Sequence, residues 1–374
     1  MKYIRPVYPG PGKAGDKNKI LYSNIEVEIP KLDMPVTPLE NFHRVAARKN
    51  PLWVPNSLTD FQNLMLQELA VGRGEARAQL IGSDFNRIVT EDYDYLDWFG
   101  VQWTWVASAG GAVTTPGVKY LDDIADWEKA VKFPDFNNWD WQTKADDFMK
   151  NEYDPNKVLH LDIGQGCIQR LISILGGYTE GMYALALEPE AVKAFFSRYA
   201  DFMIELVDHL LKIYPADMMT IHDDWGTELD TFYSPQMMEE LVFEPTNRIV
   251  QHIKSKGCAF MLHSCGNVSR FIPYMIDMNI DFLQLQRRAV DIPAMKAKYG
   301  DKIGFNTGIE GLDIGAVYTK EELIEKIRHT VDILGKGGGC FINIFERDPQ
   351  LLWYGLWELY YYSREYYEGE KAIN

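Results

Sequence analysis

His263 and Cys265 stand two residues apart in "AFMLHSCGNVSRFI", at the end of an apolar run and directly before a glycine. In an extended strand, residues two apart point to the same side, so an imidazole and a thiolate at this spacing can hold one metal ion. A third soft ligand is then wanted. Cys340 is the candidate, because the run "GKGGG" before it lets the backbone approach closely. His, Cys and Cys together suit zinc, and three protein ligands leave an open position, the mark of a catalytic site. By itself a His-x-Cys pair is a weak signal and is more often part of a packed core, since free cysteine behaves as a small hydrophobe. Cys167 and Cys258, which have no soft partner at strand spacing, are assigned to the core.

Further polar groups follow other apolar runs. "MMTIHDDWG" ends in His222, Asp223 and Asp224, and one aspartate is expected to orient or donate a proton while the other caps a helix. Both are carried as catalytic candidates. Trp53, Asn56, Trp225, Asn306 and Glu310 are expected to contact substrate, and Glu228, Glu310 and Glu346 compete for a fourth, displaceable ligand position.

Groups this far apart in the chain can converge only if their elements share an end. From about residue 150, apolar runs (158–164, 218–224, 259–265, 282–286, 303–309 and 340–345) alternate with helical patterns such as "EAVKAFFSRYADFMIELVDHLLKIY". That alternation predicts a parallel sheet with helices outside, since parallel neighbours need crossover connections. "PLWVPN" (51–56) and "DWFGVQWTWV" (97–106) are candidates for the two remaining strands. The expected fold is an α/β (β/α)8 TIM barrel, one domain over 1–374, with an irregular N-terminal arm over about 1–40. The segments 51–56 and 340–345 should then be neighbours, and every C-terminal strand end should open on one face. The aromatic piece 123–142 is expected to lie over the barrel. An open doubly wound sheet is the alternative, lowered by the lack of a Gly-rich dinucleotide fingerprint.

The chain has 374 residues, a net charge of −16 and four cysteines. Clustered Lys and Arg for phosphate contacts are missing, which argues against nucleic acid. No membrane-length apolar run or signal-peptide core is evident, and so few cysteines do not make a disulfide framework. A cytoplasmic location is expected.

The segments "HDDWGTELDTFYSPQMMEELVFEP", "LHSCGNVSRFIPYMIDMNIDFLQLQ" and "GFNTGIEG" resemble the uroporphyrinogen decarboxylase superfamily, whose fold is a (β/α)8 barrel. Within it, a branch of corrinoid-dependent methyltransferases carries a zinc site of the pattern His-x-Cys followed by a distant Cys, here His263, Cys265 and Cys340. The decarboxylases themselves hold substrate propionates with an Arg-containing loop near the N-terminus. This chain has "PLWVPNSLTDFQNLMLQEL" there, without arginine, which disfavours porphyrinogen decarboxylation.

The resemblance implies transfer of a methyl group from a small-molecule donor to the cobalt(I) of a corrinoid, with zinc polarising the heteroatom. The 10 Trp, 21 Tyr and 18 Phe lean the donor toward a methoxylated aromatic. Methylation of a thiol such as coenzyme M is the alternative; tetrapyrrole decarboxylation and a non-catalytic corrinoid-binding barrel rank lower. The corrinoid-binding pattern Asp-x-His-x-x-Gly is missing, so the corrinoid is expected on a separate partner protein. A second copy of the chain is admitted as a further partner.

Overall fold

The structure, a computed structural model, describes residues 3–6, 18–22, 25–66, 79–81, 91–108, 111–136, 141–312, 317–344, 346 and 348–373. Strands β1 (Asn18–Tyr22) and β2 (Ile25–Ile29) pair as an antiparallel hairpin. The stretch expected to be an irregular arm is therefore ordered in part; residues 7–17 lie outside the described residues. β3 (Phe61–Leu66) carries β4 (Gln79–Ile81) antiparallel on one side. β5 (Tyr93–Leu96), β6 (Gln102–Val106) and β7 (Gly111–Thr114) make a separate antiparallel sheet.

Then come β8 (Val158–Gln165), β9 (Met218–His222), β10 (Ala259–Ser264), β11 (Phe282–Leu285), β12 (Gly304–Gly308) and β13 (Cys340–Asn343). With β3 they form a parallel series in the order β3-β8-β9-β10-β11-β12-β13. Neighbours in space are neighbours in sequence, as helical crossovers of one hand require. The ring is joined on its far side. Asn56 bridges Ile342 in parallel, Ile342 N–H donates to Pro55 O at 2.9 Å, and Ser57 N–H donates to Ile342 O at 3.0 Å. The chain from Pro55 to Leu66 thus lies beside β13 with its first part and beside β8 with its second, and the expected neighbours 51–56 and 340–345 do meet.

The expected barrel strand in 97–106 is corrected. Gln102–Val106 is a strand, but it pairs antiparallel on both sides, with β5 and with β7. A barrel strand is covered on both faces, as β8 is along its whole length; most of β6 is only half-buried. Within 123–142, Trp127 packs on Phe195 with centroids 5.7 Å apart and Phe133 on Phe202 at 5.6 Å, so this piece covers the outer helix Pro189–Leu211.

The lumen is layered. At the N-terminal end, Phe61, Val158, Met218, Met261, Phe282 and Phe341 form an apolar floor, plugged by Phe42 of the helix Pro38–Ala46. The rings sit 4.9 Å (Phe61–Phe341) to 6.5 Å (Phe42–Phe341) apart at edge or stacked angles, which suit aromatic quadrupoles. Above the floor the lumen turns polar, with Asn63, His160, Thr220, Gln284 and Asn306 on the same strands. That polarity is why the floor must be sealed.

Candidate metal centre at the barrel mouth

Asp224, just beyond β9, and His263 and Cys265, at the end of β10, bring ligand atoms within 4.8 Å of one another. His263 Nε2 is 3.5 Å from Cys265 Sγ and 3.9 Å from Asp224 Oδ1. For Zn–S and Zn–N bonds of ordinary length at a tetrahedral angle, sulfur and nitrogen should stand about 3.6 Å apart. The donors, one imidazole, one thiol and one carboxylate, all half-buried, therefore fit zinc.

The loops after β9 and β10 make this meeting possible by nearly touching. A Cβ on Gly266 would lie 2.1 Å from Gly226 O, and Gly266 has φ +84°, so only glycine serves directly after Cys265. The Cys265 N–H donates to Asp224 Oδ1 at 2.8 Å and locks the two ligands together.

The state of each ligand follows from its surroundings. Burial, with the His222 ring 4.5 Å away, pushes His263 down to about 4, so the ring is neutral and able to ligate. His263 Nδ1 lies 2.7 Å from Gln284 Oε1. Gln284 Nε2 donates in turn to Asn306 Oδ1, and Asn306 Nδ2 donates to Phe341 O at 3.3 Å. A backbone carbonyl can only accept, so it fixes the Asn306 amide, which fixes the Gln284 amide. The His263 proton is thereby placed on Nδ1, and Nε2 presents its lone pair. Burial and Asp224 push the Cys265 thiol up to about 12, so metal binding must displace its proton.

Cys340 does not join this set, contrary to the expectation. It opens β13 at the N-terminal end and pairs with Phe305, and both belong to the apolar layer of Leu262 and Leu283 between sheet and helices. Its neighbour Phe341 faces the lumen, so strand alternation turns Cys340 outward. Burial pushes its thiol up to about 12, as befits a core cysteine. Cys167 and Cys258 are buried as expected.

Asp223 is also reassigned. It is buried and accepts from Gln169 N–H at 2.7 Å, Ile168 N–H at 3.3 Å and Trp225 Nε1 at 2.8 Å, so it caps the helix Cys167–Leu175. Burial pushes it up to about 7 against those bonds. A Cβ on Gly166 would lie 2.3 Å from its carboxyl carbon, which explains the glycine opening that helix.

The remaining expected substrate contacts divide. Trp225 is fully buried against Phe271, with its N–H groups used by Ser264 and Asp223. Trp53 belongs to a core cluster with Trp353, Trp357 and Tyr360 and donates to Asp60. Asn56 is spent in a turn, accepting from Leu58 and Thr59 N–H and donating to the Thr59 hydroxyl. None of these three is placed to touch substrate. Asn306 does face the lumen, as a link to His263. Glu310 is half-buried beyond β12 and raised by burial; Glu228 lies on an exposed turn; Glu346 accepts from Asp348 N–H.

His222, expected at a strand end, and Asp162 and Tyr178, which were not singled out in the sequence, complete the mouth. His222 Nε2 pairs with Asp162 Oδ2 at 2.6 Å; burial opposes a charge on His222, but Asp162 outweighs it and raises the ring. Tyr178, whose hydroxyl is pushed up to about 12 by burial and the Asp224 charge, packs on Phe232 at 5.0 Å with 43% of its surface exposed. Part of the signal for the lumen residues was present: in "VLHLDIGQ" His160 and Asp162 stand two apart, and in "DFLQLQ" Gln284 and Gln286 do, among otherwise apolar residues.

A parallel α/β barrel with a mixed N, S, O ligand cluster at the C-terminal mouth defines the class of molecule, one that works with its strand ends. The sequence matches the model of the uroporphyrinogen decarboxylase (URO-D) family over residues 96–336, and the chain belongs to that family. Among solved structures, its fold is similar to a methyltransferase from Methanosarcina mazei, at TM-score 0.61 and 11% identity, covering 87% of this chain and 98% of that one. An endo-1,4-beta-xylanase from Caldicellulosiruptor owensensis also aligns, at TM-score 0.31 and 11% identity over 59% of this chain and 75% of the other. A search among curated proteins finds no match.

Proposed function

We propose that this chain is a methyltransferase that moves a methyl group from a methoxylated aromatic compound to the cobalt(I) of a corrinoid on a separate protein. The observation that carries the reading is the cluster of Asp224, His263 and Cys265 at the barrel mouth, which supplies three protein ligands and leaves an open position. Zinc held there would supply a Lewis acid to the ether oxygen. The cobalt(I) of the partner's corrinoid would supply the electron pair of the new bond to the methyl carbon and so rise to the cobalt(III) level, the C–O bonding pair stays on the oxygen, and the phenoxide takes up a proton. His263 is oriented for its ligand role by Gln284, and His222, held by Asp162, stands beside it as a proton-bearing ring. Tyr178 and Phe232 at the rim offer aromatic faces to a ring, whereas Trp53 and Trp225 are buried in the core.

The test mixes zinc-loaded protein with a reduced corrinoid protein and, in separate reactions, methoxybenzenes, methanol, methylamines and methylated thiols, following loss of the cobalt(I) absorption. Response to the aryl ethers supports the reading. Response only to a methylated thiol or methylamine replaces it.

A further inference from the structure

We infer that the lumen face of β8 forms a recognition site beside the candidate metal centre, in which Asp162 and Gln165 receive hydrogen-bond donors of the substrate, so that the methyl ether accepted carries a ring hydroxyl or amino group. The inference rests on the methyl-ether reading and narrows its substrate class.

The sheet register breaks in β8 between Asp162 and Gly164: Asp162 pairs with Thr220, and Gln165 pairs with His222. Residues three apart on a regular strand face opposite sides, but the extra residue of a bulge returns Gln165 to the side of Asp162. That side is the lumen, since Asp162 binds the His222 ring and His222 stands 4.5 Å from the ring of His263.

Both side chains are withdrawn from solvent, Asp162 to 6% and Gln165 to 4% exposure. Asp162 uses Oδ2 on His222, yet its Oδ1 has no partner, and neither has Gln165 Oε1. Two buried acceptors without donors thus lie on one face of β8, one of them on the carboxylate that holds the His222 ring. Leaving each unmet carries the desolvation penalty of a buried acceptor, so the site selects a ligand that brings O–H or N–H groups. Because the His222 ring that Asp162 binds stands 4.5 Å from the His263 ring, the donor and the ether oxygen would belong to one small substrate.

The experiment titrates zinc-loaded protein calorimetrically with 2-methoxyphenol, 2-methoxyaniline and methoxybenzene. At least one of the two donor-bearing ethers should bind about tenfold or more tighter than methoxybenzene, because a site built around hydrogen bonds rejects the analogue lacking them. Which of the two binds better distinguishes hydroxyl from amino recognition. Gln165→Leu should shrink the preference and Gln165→Glu should keep it. Equal binding of all three compounds, binding of none, or an unchanged preference in a folded Gln165→Leu protein overturns the inference; if that variant does not fold, the wild-type comparison decides. Methyl transfer to cobalt(I) is followed separately. Selective binding without transfer removes the proposed reaction and leaves the recognition site standing.

Discussion

Asp224 and Cys340 are close to equal as metal-ligand candidates by residue type, and geometry separates them. Asp224 Oδ1 is within reach of His263 Nε2, whereas the Cys340 thiol is buried on the other face of the sheet. Replacing Cys340 with Ser should therefore leave zinc content near wild type, while Asp224→Asn, which removes an anionic ligand, should weaken zinc binding by about a hundredfold. Metal analysis of both purified variants after dialysis against a competing chelator checks this. Loss of zinc from the Cys340→Ser protein with Asp224→Asn unaffected would restore the ligand set expected from spacing.

At the scale of elements, β11, β12 and β13 act on the site without supplying a ligand. Their contribution is the chain of amides from Phe341 O through Asn306 and Gln284 to His263 Nδ1. Gln284→Leu leaves the imidazole free to place its proton on either nitrogen, and zinc affinity should fall about 10- to 100-fold, the usual effect of losing a ligand's supporting hydrogen bond. Nitrogen NMR of the metal-free protein should show His263 protonated on Nδ1 in the wild type and a mixture in the variant. The joint between β9 and the helix Cys167–Leu175 is tested by Gly166→Ala, which drives a methyl group into the Asp223 carboxylate. A loss of about 2–3 kcal/mol in denaturant unfolding is expected, as for other overpacked buried sites. Unchanged stability would mean the cap can shift without cost.

For the whole molecule, the polar lumen above an apolar floor makes stability depend on pH. His160, 9% exposed, lies between Asn63 Oδ1 at 2.8 Å and Thr220 Oγ1 at 2.7 Å, and burial pushes it down to about 4 against the pull of Asp162. Its folded pKa is below the unfolded value, so the folded state binds its proton less readily. The stability it carries is complete above about pH 6.5 and is lost as pH falls toward 4, by about 2–3 kcal/mol at pH 4.5. Urea unfolding of wild type and His160→Gln at pH 7 and 4.5 should show the smaller acid loss in the variant. Equal losses would exclude His160 as the source.

The barrel itself was legible in the sequence, because apolar runs alternating with amphipathic helices admit few arrangements, and "HSCG" displays its own geometry: alternation puts His263 and Cys265 on one side. Contacts across the chain were not legible. Whether β13 presents Cys340 or Phe341 to the lumen is a matter of one residue of register, fixed by pairing with β12 and by packing of the floor. The aromatic run 97–106 reads as a strand from composition, but its partners, and hence its sheet, depend on which faces the rest of the fold leaves uncovered. Asp223 and Asp224 are adjacent in sequence and differ in role because one turns toward the helix N-terminus after β8 and the other toward Cys265. Only the tertiary structure supplies those neighbours, since each lies about 40 or more residues away along the chain and is brought close by closure of the ring.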